Sequence, residues 1–266
     1  MSANGIDNEK EFFTKERLIS FKRWNTDIEK INLLENKWGN ICLTPLDIPR
    51  IQATDHQRFV DWFYKTCKPS VKQNADVATT DVGYSKFKSI DLVPPGANVM
   101  QSVWSKNPVN NFSTLWPDLC EQMHEYLPFE SINGFTIWNS TEDILPHRDP
   151  GAFTDFPVSF RILLDDTNTE PNLVVGECLP NADPFNVTST KAFNNKLDTN
   201  SLVWNNLRTM HWSKKDSNQN KILLIMLPWV NKINLDKYDK LIDRSLQKYR
   251  TESLMSSYKI DNWISL

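Results

Sequence analysis

Glycine is scarce in this chain, with seven in 266 residues, against a usual share of about 7%. Loops that cradle phosphates need several glycines close together so that backbone can approach the ligand. Neither GxGxxG nor GxxxxGK[ST] occurs, which argues against the nucleotide-binding folds built on those loops. Cysteine is also sparse. Cys42, Cys67, Cys120 and Cys178 stand far apart with no CxxC pair, so neither a zinc ribbon nor a dense disulfide framework is expected. A basic excess is missing as well: 30 Lys and Arg face 33 Asp and Glu, for a net charge of −3. Sequence-independent nucleic-acid binding draws on a net basic surface, and this balance argues against it. The longest apolar run, Ile222 to Val230, is broken by Pro228, whereas a membrane span needs about 20 apolar residues. Met1 to Glu11 is polar and acidic, unlike a secretory leader. The expectation is a cytoplasmic protein with no membrane partner.

Aromatic residues, by contrast, are plentiful. Ten Trp and fourteen Phe within 39% hydrophobic residues supply the buried area that offsets the entropy of folding. One domain spanning 1–266 is expected, with a helical N-terminal region over about 1–97, a β core over about 98–230 and a C-terminal helix over about 234–257. Apolar residues at helical spacing run from Phe12 to Trp38. Further helices are predicted from a cap at Thr54 or Asp55, from Ser113 to Tyr126, and from Leu235 to Ser257. Between them lie short runs rich in β-branched and aromatic residues: Val99 to Trp104, Ile132 to Trp138, Val158 to Leu164, Leu173 to Cys178, Ser201 to Trp204 and Lys221 to Leu227. Many short strands without alternating helices predict an antiparallel sandwich or barrel. The fold class is therefore mainly β with flanking helices.

Four histidines are present. His56 and His124 fall in predicted helices among charged neighbours and read as solvated. His147 sits in Pro146-His147-Arg148-Asp149-Pro150. In an extended segment, residues two apart project to one face, so His147 and Asp149 can reach one point. His211 lies between two predicted strands, where a barrel could return it to that point. Two imidazoles and one carboxylate leave open positions on a metal, a donor set that suits non-haem Fe(II). Arg161 interrupts the apolar strand Ser159-Phe160-Arg161-Ile162-Leu163-Leu164, and a buried guanidinium needs an anion. Lys221, ten residues after His211, opens the apolar strand that follows; a solvated strand end and a carboxylate anchor are both open for it.

The succession Pro-His-Arg-Asp, Phe-Arg-Ile-Leu-Leu, Ser-Leu-Val-Trp, Met-His-Trp and then a cation opening an apolar strand resembles the 2-oxoglutarate- and Fe(II)-dependent oxygenases. Within them it looks like the aspartyl/asparaginyl β-hydroxylase and proline hydroxylase group. The resemblance covers about Ile132 to Trp229. It implies a double-stranded β-helix (a jelly-roll, cupin-like core), with His147, Asp149 and His211 as Fe(II) ligands and Arg161 on a carboxylate. Where the group usually carries an arginine for the far carboxylate of 2-oxoglutarate, this chain has Lys221, which offers a point charge instead of a bidentate fork. Asp149 places it on the proline hydroxylase side, because the aspartyl hydroxylase subgroup lacks that ligand. The activity implied is hydroxylation of a C–H bond in an amino acid or peptidyl side chain, consuming molecular oxygen and 2-oxoglutarate and releasing succinate and carbon dioxide. Two alternatives share parts of the pattern: a cupin-type metalloenzyme that does not use 2-oxoglutarate, and a non-catalytic β-barrel binding module.

Overall fold

The computed structural model describes residues 28–73, 84–93, 112–130, 132–140, 144–147, 158–166, 173–178, 187–194, 196–205, 209–213, 221–228 and 230–256. In chain order the helices are α1 (Ile28–Trp38), α2 (His56–Thr66), α3 (Phe112–Leu115), α4 (Pro117–Tyr126) and α5 (Leu235–Lys248). The strands are β1 (Ile41–Pro45), β2 (Lys68–Gln73), β3 (Tyr84–Val93), β4 (Ile132–Ser140), β5 (Ile144–His147) and β6 (Val158–Asp166). They continue with β7 (Leu173–Cys178), β8 (Val187–Ala192), β9 (Ser201–Asn205), β10 (Thr209–Ser213), β11 (Lys221–Pro228) and β12 (Leu254–Met255).

The strands form two antiparallel sheets. The larger has the order β12-β1-β9-β6-β11-β4-β3-β2, the smaller β5-β10-β7-β8. Chain alternation sets their faces. In β6, Phe160, Ile162 and Leu164 join Ile222, Leu224 and Met226 of β11 in a core with Phe59 and Phe63 of α2, Leu119 and Met123 of α4, and Tyr238, Leu241 and Ile242 of α5. The opposite face, with Leu163, Leu202, Trp204 and Leu223, packs on Leu173 and Val175 of the smaller sheet. Strands buried on both faces read as continuous apolar runs, which is why β6, β9 and β11 were predictable.

Local sequence sets the helix ends. The Asp55 carboxylate caps α2 by accepting from the Arg58 N–H at 3.1 Å, and the Asn234 side chain caps α5 by accepting from the Lys237 N–H at 3.1 Å. The helix expected from Ser113 to Tyr126 is divided. Pro117 cannot donate to the preceding turn and pushes Trp116 out of helical geometry, to φ −131° and ψ 58°. The last helix stops at Lys248 rather than Ser257, because the chain turns and enters β12 on the edge of β1. The stretch expected to be helical over 1–97 also carries three strands, β1 to β3, all in the larger sheet. The expected strand Val99 to Trp104 and the helical stripe before Ile28 lie outside the described residues.

Candidate functional site between the two sheets

The apolar filling between the sheets gives way to polar side chains beyond Leu163 and Val175. Ser159 and Arg161 follow Leu163 on the same face of β6, and both are buried. Across the ladder, Ser159 pairs with Trp204 and Arg161 with Leu202 of β9. On its other side Arg161 pairs with the half-buried Ile225 of β11. From the smaller sheet, His211 of β10 stands opposite Val175 of β7 and opposite His147 of β5.

Trp204 joins these groups. Its ring stacks on the His211 imidazole, with centroids 4.8 Å apart and planes 29° apart. The Arg161 guanidinium lies 4.5 Å from the ring centroid of the same tryptophan. A guanidinium over an indole face is attracted by the ring quadrupole, more strongly when desolvated. Arg161, only 2% exposed, is desolvated; its Nη1 donates to the Phe160 carbonyl at 3.3 Å. Sequence reasoning singled out Arg161 and His211 but not the aromatic between them. Nothing in a Ser-Leu-Val-Trp strand distinguishes a site tryptophan from a core one.

The other expected site residues are placed to different extents. His147 is the last residue of β5, and its backbone is in register with His211; opposed residues of antiparallel strands have Cα atoms about 4.5–5.5 Å apart. Asp149 lies outside the described residues. Lys221 opens β11, in register with Asp166, the last residue of β6. Among the described residues no three His, Cys, Asp or Glu side chains gather as a metal site.

A buried carboxylate also lies on the smaller sheet. Glu177, in register with Thr209 of β10, accepts hydrogen bonds from Ser189 Oγ at 3.2 Å and from Ser256 Oγ at 2.6 Å. It thereby ties β7 to the residue after β12. His56 is exposed, as expected, and it also pairs through Nε2 with Asp165 Oδ1 at 3.0 Å. That carboxylate is buried, and with Tyr64 and Asn139 it forms a polar cluster beside α2. Burial first, and the Asp165 charge second, push the Tyr64 hydroxyl up to about 12; that hydroxyl accepts from Asn139 Nδ2 at 3.2 Å. His124 is exposed on α4, as expected.

No family model matches the chain, and no curated protein sequence does. Solved structures with a similar course of the chain exist at low identity. One is a 2OG-Fe(II) oxygenase family oxidoreductase from Burkholderia pseudomallei, with a TM-score of 0.45, 12% identity, and coverage of 78% of this chain and 92% of that one. Another is a Pseudomonas putida prolyl-4-hydroxylase, with a TM-score of 0.38, 9% identity, and coverage of 74% and 98%. A third is a Trichoplax adhaerens prolyl hydroxylase in complex with a hypoxia inducible factor oxygen degradation domain peptide fragment. It has a TM-score of 0.40, 9% identity, and coverage of 85% and 96%.

Proposed function

We propose that the protein is an Fe(II)- and 2-oxoglutarate-dependent hydroxylase acting on an amino acid or peptidyl side chain, on the proline hydroxylase side of the group its motifs resemble. The observation that carries this reading is the stack of His211, Trp204 and Arg161 between the two sheets, with His147 in register beside His211. The eight strands from β4 to β11 divide equally, with β4, β6, β9 and β11 in one sheet and β5, β7, β8 and β10 in the other. We read this division as a double-stranded β-helix.

The donor chemistry fits an Fe(II) ion. His211 is a buried imidazole on the sheet that also carries His147, and neutral nitrogen donors with one carboxylate suit that metal. His147, Asp149 and His211 would hold it. Bound there, Fe(II) supplies the oxygen chemistry, in which 2-oxoglutarate is oxidised to succinate and carbon dioxide as a substrate C–H bond is hydroxylated. The chain supplies binding and orientation. The Trp204 ring limits rotation of the His211 imidazole, Arg161 neutralises a carboxylate, and Lys221 holds the far carboxylate of 2-oxoglutarate. Leu202 and Val175, both fully buried, keep water from the inner side of the site.

Anaerobic Fe(II) plus 2-oxoglutarate should give a weak visible charge-transfer band, and aerobic incubation should give succinate. A protein that binds Fe(II) but shows neither band nor succinate would instead fit a metalloenzyme without this co-substrate.

A further inference from the structure

The hydroxyl of Ser159 is a buried polar group that the proposed function leaves unused. Ser159 is 0% exposed, and its Oγ has no hydrogen-bond partner among the described residues. A buried hydroxyl without a partner carries a desolvation penalty. A strand position opposite Trp204 could be filled by alanine without that penalty. Ser159 stands two residues from Arg161 on one face of β6, so both side chains enter the space between the sheets. Trp204, the register partner of Ser159, carries the Arg161 guanidinium on its ring. An O–H donor and a desolvated cation are thus presented side by side, backed by one aromatic plane.

We infer that Ser159 and Arg161 form a two-point carboxylate cradle, in which Ser159 Oγ donates to one carboxylate oxygen and the guanidinium pairs with the carboxylate charge. Arg161 as a carboxylate contact belongs to the function proposed above; the Ser159 donor does not, and it predicts a dissociable effect. A hydroxyl kept for a ligand is a burden to the empty protein and an asset to the loaded one. A hydroxyl kept for structure is an asset to both.

The test compares wild type with Ser159→Ala and Ser159→Cys, the second retaining bulk and a weak donor. Thermal unfolding is measured without ligand. Calorimetric titration of the Mn(II)-loaded proteins is then made with 2-oxoglutarate in one arm and L-alanine in the other, to separate a co-substrate carboxylate from an amino-acid one. Ser159→Ala should leave the ligand-free Tm unchanged or raised and Mn(II) affinity unchanged, while carboxylate affinity falls about tenfold, the scale of one hydrogen bond to a charged group. Ser159→Cys should fall between. If wild type binds 2-oxoglutarate and Ser159→Ala binds it equally well, the cradle is wrong and the oxygenase reading stands. If wild type binds only L-alanine and Ser159→Ala loses it, the cradle stands and the 2-oxoglutarate reading fails. A lowered ligand-free Tm with unchanged carboxylate affinity would make Ser159 a structural residue, and no binding of either probe would overturn both ideas.

Discussion

Trp204 is the side chain through which the two sheets meet at the site, touching a cation on its own sheet and an imidazole on the other. Its removal should therefore act twice. Trp204→Ala should cost about 3–5 kcal/mol of unfolding free energy, the usual range for a buried tryptophan, read from urea denaturation. It should also weaken Fe(II) or Mn(II) binding by about tenfold, as loss of a group that orients a ligand histidine does. Trp204→Phe, which retains a ring, should recover most of the metal affinity while remaining less stable than wild type. At Lys221, charge and shape can be separated. Lys221→Met should raise the 2-oxoglutarate concentration needed for half-maximal succinate formation steeply, whereas Lys221→Arg should retain part of the activity. An unchanged requirement in the Met variant would move the anchor away from β11.

At the scale of elements, short polar ties hold the helices to the loops beside them. The first turn of α4 carries Asp118, whose Oδ2 accepts from the Thr54 N–H at 2.6 Å just before α2. Burial pushes the Asp118 carboxyl up, but the hydrogen bonds from Thr54 and the nearby backbone outweigh it and hold the carboxyl below its ordinary range. A carboxyl lowered by folding stabilises the protein above its unfolded value and loses that contribution as pH falls through the folded one. Asp118→Asn should therefore be less stable than wild type at neutral pH, by under about 1 kcal/mol for a half-exposed group. The two melting curves should converge below about pH 4. On the other edge, Ser256→Ala should cost about 1.5–3 kcal/mol by removing a hydrogen bond to the buried Glu177 carboxylate, measured by chemical denaturation. These elements were unevenly legible in the sequence. Strands covered on both faces, such as Ser201–Asn205, announce themselves as apolar runs, and caps such as Asp55 mark helix starts. The edge strand β2 contains Lys68, Pro69 and Lys72, residues that break the apolar pattern by which a strand is read from sequence. β5 is four residues long and contains Pro146, so its pairing with β10 is visible only once the sheet is assembled.

For the whole molecule, the site draws its groups from both sheets, Arg161 and Ser159 from the larger and His211 from the smaller. A ligand bridging them should stabilise the complete sandwich. Mn(II) with 2-oxoglutarate at a hundred times its dissociation constant should add about 2.7 kcal/mol to unfolding, and Arg161→Met should lose most of that increment in a thermal scan. Part of this site was legible beforehand, because a histidine between two strands and an arginine within an apolar strand are unusual where they stand; Asp149 lies outside the described residues. Ser159 and Trp204 were not legible, since serine and tryptophan are ordinary strand residues until the register sets them beside Arg161. The larger sheet also joins distant parts of the chain. β1, near the beginning, pairs with β9 through Leu43 and Trp204, and with β12 near the end through Leu43 and Leu254. On a ribosome, β1 would emerge long before either neighbour and remain an unpaired, wholly buried-type strand until β9 and then β12 follow. Such non-local pairing slows folding and leaves apolar edges exposed meanwhile, so β1 remains an aggregation-prone edge until β9 and then β12 have been made.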